Sequence, residues 1–434
     1  MTSPTEMLGV SGEQLLMPDT SIIRGILEDA GVEIVESLET MPVNFDIIAN
    51  TSSKCTFSAH SAVPVCESFP KDVLVRIENS LLLVASVAGL QNLAHAHVPD
   101  VVPEVLALGI TTADDGRPFE YSVREFSTDT IPLEDVWETL DQGHKTELVN
   151  KVVKSIEQLQ KINSSIVNVV ASLPSKFYGV DNSPNQENSA KMVCGGPGLG
   201  YHPDMQSFLR GFIRDQTMDP CPCEVLDNGG GSITIKSRFK DIGQVKFTRQ
   251  DLKDLQRSVV LCHNDLTPAN ILVRPAASSK ANGGKPRYEV ASIIGWEDAA
   301  FTPYALEWAV QDCHLGYENI SFSWYSMLRE RTQHLLPKGE AHTKLLKAVR
   351  IIEASAWKMS PRHFRPLVRE KWMAVHGVQR SSDPRVGHSR KAGAGPLPAD
   401  FGHDNMDELH LEAFQQLGML NEAILEEMAR RRGA

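Results

Sequence analysis

The chain has 434 residues, 41% hydrophobic and 23% charged, with a formal net charge of −12; this suits one large or two moderate globular domains and excludes a fibrous or wholly disordered protein. The longest apolar stretch, Leu81 to Leu90, is interrupted by Ser86 and falls short of the roughly eighteen residues a membrane span needs, so no membrane partner is expected. The acidic balance argues against a protein that wraps nucleic acid, whose phosphates need a basic face, and Met1-Thr-Ser-Pro-Thr-Glu6 lacks the pattern of a secretory signal, so a cytoplasmic location is expected. The seven cysteines are scattered, and the one close pair, Cys221-Pro-Cys223, reads as loop because tetrahedral zinc needs four ligands.

In chain order, Ile22, Ile23, Ile26 and Leu27 predict a helix from about Thr20 to Gly31, and Val32 to Glu36 alternates like a strand. Cys55 to His60, Val73 to Ile77, Val105 to Leu108 and Glu120 to Phe126 read as further strands of an antiparallel sheet, with a buried helix over Ser80 to Ala94. After Ser127 the period lengthens, and helices are expected over Leu133 to Leu140 and Leu148 to Ile162. The division that follows is a β-rich domain over 1–126 and a helical domain over 127–434. Residues 163–250, with Gly195 to Gly200 and Gly229 to Gly231, look like insertions around one helix, Met205 to Arg214. Helices are expected again over Lys344 to Trp357 and Met406 to Arg431, with a flexible basic linker between them at 380–399. No internal repeat is evident.

The most informative text is Val259-Val-Leu-Cys-His-Asn-Asp-Leu-Thr-Pro-Ala-Asn-Ile-Leu-Val273, an apolar strand, a His-x-Asp turn, an Asn five residues beyond the Asp, and a second apolar strand. An aspartate at such a strand end can take the proton of a substrate hydroxyl, and an asparagine on the returning loop can hold Mg²⁺ bound to nucleotide phosphates. Asp265 and Asn270 fit these roles, and His263 fits a brace for the loop better than a base. Turn-forming residues between two strands are the plainer reading of the same string.

The string H-x-D-L-x-x-x-N-I-L resembles the catalytic loop of the aminoglycoside phosphotransferase and choline kinase-like family, relatives of the protein kinases. Ile293-Ile-Gly-Trp-Glu-Asp-Ala-Ala-Phe-Thr-Pro-Tyr-Ala-Leu-Glu-Trp308 resembles its metal-binding strand and the helix that follows. The resemblance runs from about residue 45 to 325, and the remainder, with Phe322-Ser-Trp-Tyr325, is similar to fungal kinase-like members. It implies an α+β bilobal protein-kinase-like fold, with a small N-terminal lobe carrying an antiparallel sheet and a larger, mostly helical C-terminal lobe. It also implies ATP and Mg²⁺ as cofactors, a small-molecule hydroxyl acceptor as partner, and catalysis through Asp265 with His263. Nucleotide contacts would come from Arg76 on a strand, from Asn270, and from the segment Val123 to Phe126 with Glu125, which is similar to the family's inter-lobe linker ahead of the helix opening at Ile131.

The family pattern is departed from in three places. Its metal-binding aspartate is Gly295 here, which has no ligating side chain; on a strand, Glu297 would share a face with residue 295 and could serve with Asn270 as metal ligand. If the rest is assembled, Gly295→Asp is expected to raise Mg²⁺-dependent nucleotide binding. The glutamate expected to orient Arg76 is missing, Val84 standing in its place, so Arg76 could instead pair with a neighbouring carboxylate. The segment expected over the phosphates, Ala49 to Phe57, is Ser/Thr-rich rather than Gly-rich. Two readings follow: an ATP-dependent phosphotransferase acting on a small-molecule hydroxyl, or a pseudokinase that binds or regulates without transfer.

Overall fold

Period-two alternation builds the first sheet. In a computed structural model of the chain, which describes residues 43–50, 54–61, 70–78, 83–112, 118–163, 194–216, 222–276, 286–359, 364–395, 406, 408–413 and 415–416, strands β1 (Val43–Asn50), β2 (Lys54–Ser61), β3 (Asp72–Glu78), β4 (Val105–Thr112) and β5 (Pro118–Glu125) pair antiparallel in the order β1-β2-β3-β5-β4. Cys55, Phe57 and Ala59 of β2, Val73, Val75 and Ile77 of β3, and Phe119, Tyr121 and Val123 of β5 alternate onto one face and form its core. Helix α1 (Leu83–His95) packs on β4 and β5. Its first amides meet a strand side chain, the Val84 N–H donating to Glu120 Oε2 at 3.1 Å, and Asn92 Oδ1 accepts the Val105 N–H at 2.8 Å where β4 begins. The helix expected near Thr20 and the strand at Val32 lie outside the described residues.

The described residues up to Asp129 form one compact unit and those from Thr130 onward a second, mostly helical one. The second opens with β6 (Ile131–Pro132), α2 (Leu133–Val136) and a 3-10 turn, and then α3 (Gln142–Leu159). Helix α3 starts six residues ahead of the apolar stripe because the Asp141 carboxylate accepts the His144 N–H at 2.8 Å and caps it.

The residues read as insertions carry the expected helix, α4 (Met205–Gln216), and beside it regular strands: a hairpin of β7 (Cys194–Gly196) and β8 (Gly200–His202) and a sheet of β9 (Cys223–Asp227), β10 (Ile233–Ser237) and β11 (Gln244–Phe247). A Cβ on Gly195, at φ 113°, would meet the Gly200 carbonyl at 1.9 Å, so this hairpin needs glycine there. Helix α5 (Arg249–Arg257) begins at a capping box of Thr248 and Asp251. Strands β12 (Val259–Cys262), β13 (Ile271–Pro275), β14 (Tyr288–Ile293) and β15 (Ala300–Pro303) follow, then α6 (Tyr304–His314), α7 (Phe322–Thr332), α8 (Glu340–Met359) and α9 (Phe364–Val375). The architecture is α+β with antiparallel sheets, and among the described residues no helix is long and apolar enough to cross a membrane.

The basic segment after residue 380 is a correction. Strands β16 (Val378–Arg380) and β17 (His388–Arg390) pair as a hairpin. The Arg380 guanidinium is ion-paired to the buried Glu353, Arg385 donates to Thr343 Oγ1 at 2.9 Å and the Pro337 carbonyl at 2.7 Å, and Arg390 donates to the His376 carbonyl at 3.4 Å. Arginine, glycine and proline make a linker only while the guanidinium heads lack partners, and here helix α8 and the turns before α8 and after α9 supply them.

Candidate functional site

The loop singled out by its spacing is held between two sheets. Strand β12 pairs with β15 and β13 with β14, so residues 263–270 face residues 294–299 across the gap. The chain turns at Asn264, the one residue other than glycine with a positive φ (63°) among the described residues, and its amide donates to the Asp298 carbonyl at 2.9 Å. Asparagine tolerates this left-handed backbone better than any residue with a bulkier side chain. Thr267-Pro268 then starts a 3-10 turn, with Pro268 at its first position, where a missing N–H costs nothing, and the Ile294 N–H donates to the Asn270 carbonyl at 2.9 Å.

His263 is fully buried, edge-on to Trp296, with ring centroids 4.7 Å apart. Its Nε2 lies 2.9 Å from the Ile294 carbonyl, which can only accept, so Nε2 carries the proton and Nδ1 accepts the Asp265 N–H at 3.3 Å. Burial lowers its pKa to about 4, against the raising effects of Asp265 and the Ile294 carbonyl. A neutral histidine with both nitrogens spoken for is a brace rather than a catalytic group. His263, named with Asp265 in the expected catalytic pair and read there as a brace, accepts the Asp265 backbone N–H from behind it.

Asp265 keeps about a quarter of its side chain exposed. Burial works to raise its pKa, but hydrogen bonds and charge from His314, the field of His263 and the Asn270 amide outweigh it and hold the carboxyl below its ordinary range. Asn270 Nδ2 donates to Oδ2 at 2.5 Å and to the Asp265 carbonyl at 2.9 Å, while His314 Nδ1 lies 3.2 Å from Oδ1. The carboxylate is thus ionised, hydrogen-bonded by Asn270 at Oδ2 and at ion-pair distance from His314 at Oδ1.

Position 295 decides what metal chemistry is open. Strand β14 ends at Ile293, Gly295 is left-handed (φ 77°, ψ 49°), and Trp296–Asp298 form a 3-10 turn, so Glu297 does not share a strand face with residue 295 as expected. The acid brought near Asp265 is Asp298, which, although exposed, is held above the ordinary range by partial desolvation first and by the Asp265 charge second. A Cβ on Gly295 would lie 2.5 Å from Asn270 Oδ1, so the asparagine side chain fills the place where a residue with a side chain would stand. Among the described residues no group of three or more His, Cys, Asp or Glu converges as a ligand shell. Magnesium wants near-octahedral oxygen ligands. The residues present do not make that site by themselves, and no step below passes through a metal.

Beside the loop lies a cavity of about 370 Å³, lined by Asn264, Asp298, His314 and Glu318 on its polar side and by α6 and α8 residues such as Val310, Val349 and Trp357 on its apolar side. The hairpin residue Leu199 and α4 residue Phe212 complete its wall, so the presumed insertions build part of it.

The other expected residues are in the first unit. Arg76 is buried on β3 and donates through Nε to Glu78 Oε1 at 2.9 Å, an ion pair on the same face of one strand, which is the neighbouring-carboxylate alternative. Val84, standing where an orienting glutamate was sought, has its amide held by Glu120 instead. Glu125 is exposed at the end of β5, where its N–H donates to the Glu104 carbonyl at 3.4 Å. The structure therefore joins Asp265, His263 and Asn270 in one loop, with Arg76 and Glu125 on the sheet of the other unit.

Three residues of the site escaped the sequence. Glu307, in the first turn of α6, accepts the His263 N–H at 3.1 Å, and burial lifts its pKa to about 7. Trp324 of α7 donates to the Leu266 carbonyl at 3.2 Å and ties down the far side of the loop. His314 ends α6 and reaches Asp265. Only Glu307 had a signal, an acid in the helix opening at Tyr304-Ala-Leu-Glu307.

No family model and no curated protein matches the chain. Solved structures that align with it include an aminoglycoside phosphotransferase, APH(2″)-IIia, complexed with GDP and kanamycin (12% identical, 81% of this chain and 96% of that chain, TM-score 0.40). The GDP complex of wild-type aminoglycoside 2′-phosphotransferase-IIIa is 13% identical over 91% of this chain and 98% of that chain, with a TM-score of 0.39. WaaP in complex with acyl carrier protein is 11% identical over 83% and 96%, with a TM-score of 0.27. Likeness at this level assigns neither a family nor an activity.

Proposed function

We propose that the chain is a phosphotransferase of the protein-kinase-like type, which moves the γ-phosphoryl group of ATP to a hydroxyl of a small molecule, with Asp265 receiving the hydroxyl proton. The observation that carries this reading is the state of Asp265: ionised, partly exposed, hydrogen-bonded by Asn270 and ion-paired to His314, beside a cavity of about 370 Å³, a volume typical of small-molecule sites. In a loose phosphoryl-transfer transition state the hydroxyl gives up its proton late, so an oriented, weakly basic carboxylate is sufficient. Asn264 and His314 connect the cavity wall to Asp265, and the carboxylates of Asp298 and Glu318 on that wall suit an alcohol that also carries an amine. Nucleotide contacts are assigned to Arg76, after release from Glu78, and to the backbone of Val123 to Phe126 with Glu125.

A second reading, a pseudokinase that binds without transfer, is favoured by one feature, the Asn270 side chain filling the space above Gly295. Calorimetric titration of ATP with excess Mg²⁺ and with EDTA separates the two. Binding strengthened by Mg²⁺, with turnover of an alcohol that disappears in Asp265→Asn, supports transfer; no binding, or binding indifferent to the cation, supports the second reading.

A further inference from the structure

His314 stands at the end of α6, where the chain reverses through Gly316 at φ 86°. Its own carbonyl accepts the N–H groups of Tyr317, Glu318 and Asn319 at 3.0–3.2 Å, so the backbone from which the ring projects is fixed. Its Nδ1 lies 3.2 Å from Asp265 Oδ1 and its Nε2 lies 3.0 Å from Glu318 Oε2. Both are ion-pair distances; a neutral imidazole has one N–H and one lone pair, and would bring the lone pair against one of these carboxylates, whereas the imidazolium faces both with positive charge.

The charged groups around the ring act in the same direction. Asp265 faces it from the loop, Glu318 from the turn after α6 and Asp298 from the 3-10 turn; Glu353 of α8 shares the cavity wall but its charge is spent on Arg369 and Arg380, which stand behind it and not on the wall. Behind Asp265, His263 is neutral and adds no competing charge.

We propose that His314, protonated on both ring nitrogens, is the positioning residue for Asp265, and that Glu318 is the counter-carboxylate that keeps it so. Its positioning role rests on the reading of Asp265 as proton acceptor, whereas its protonation does not. His314 holds Asp265 at Oδ1 by charge, as Asn270 holds it at Oδ2 by a hydrogen bond. The imidazolium keeps Asp265 ionised, and Glu318 keeps the ring charged.

The test uses the full chain labelled with ¹⁵N-histidine. Long-range ¹H–¹⁵N correlation at pH 7.5, with His314 assigned by its loss in His314→Gln, is expected to show two imidazolium nitrogens, and Glu318→Gln to return one of them to a neutral-ring shift. A bare nitrogen in the unaltered protein overturns the proposal, as does a Glu318→Gln spectrum identical to it. Because Glu318 is on the rim, that variant remains informative if His314→Gln fails to fold. In turnover assays His314→Gln should lower kcat by on the order of 10²-fold with the KM for ATP unchanged, and Glu318→Gln should move the alkaline limb of the pH profile to lower pH. A uniform loss through KM overturns the positioning role. Two imidazolium nitrogens in a protein without ATP turnover would instead count against phosphoryl transfer while leaving the bridge standing.

Discussion

Gly295 and Asn270 are complementary in shape: a Cβ on the glycine would fall 2.5 Å from the asparagine Oδ1 and 2.8 Å from its Nδ2. That amide is bonded to Asp265, so whatever is added at 295 presses through Asn270 on the carboxylate beside the cavity.

Gly295→Ala should therefore destabilise the protein by about 1–3 kcal/mol, from left-handed strain and overlap together, read as a lower denaturation midpoint. Gly295→Asp should fail to raise Mg²⁺-dependent ATP binding, because the new carboxylate must first displace Asn270. A gain in that titration, with the midpoint unchanged, would show that Asn270 swings aside freely.

Asp265→Asn keeps the size of the side chain and removes its charge. Turnover should fall by about 10²-fold or more, while ATP affinity stays within a factor of two and the fold is retained by circular dichroism. Turnover equal to that of the unaltered protein would remove Asp265 from the reaction.

Glu307 makes stability depend on pH. Its folded pKa of about 7 lies above the ordinary 4.5, so its contribution is complete below about pH 4.5, declines as pH rises, and is gone above about 7, a span worth on the order of 3 kcal/mol. His263 has the opposite sign: its folded pKa of about 4 lies below the ordinary 6.5, so its contribution is present above about 6.5 and is lost as pH falls toward 4. The two slopes oppose each other in the unaltered protein. Glu307→Gln should unmask the histidine, giving a urea midpoint that rises from pH 4 to 6.5 and then levels. A variant midpoint with the same pH dependence as the unaltered protein would show that Glu307 stays ionised throughout.

Glu353 neutralises Arg369 at 2.6 Å and also Arg380, with 7% of its side chain exposed. Glu353→Gln leaves two guanidinium groups short of a counter-charge and should cost about 3–5 kcal/mol. Limited proteolysis should then cut within 381–395, where the unaltered protein resists; equal resistance would mean that the hairpin is held without this pair.

Much of the site was legible because its residues are neighbours in sequence. The His263, Asp265 and Asn270 spacing puts three side chains on one short loop whatever surrounds it, and the alternation of Val73, Val75 and Ile77 identifies a strand with a buried face. Arg76 was legible only as a choice between phosphate and carboxylate, since nothing in the text Val-Arg-Ile-Glu ranks a partner two residues away against a ligand. Arg380, Arg385 and Arg390 were misread as linker because their partners, Glu353, Thr343, the Pro337 carbonyl and the His376 carbonyl, lie elsewhere in the chain and leave no mark on local composition.

By itself the sequence determined the alternating strands of the first sheet, the loop that carries Asp265 and the absence of an acid at position 295, since local periodicity and spacing act through the covalent chain, while the α+β class was implied by resemblance. Only the tertiary structure decided that His263 is a neutral brace, that Asn270 occupies the space over Gly295, and that Glu307, His314 and Trp324 converge on the loop. Those are matters of burial and distance between segments tens of residues apart, and desolvation and hydrogen bonding take their sign and strength from such neighbours.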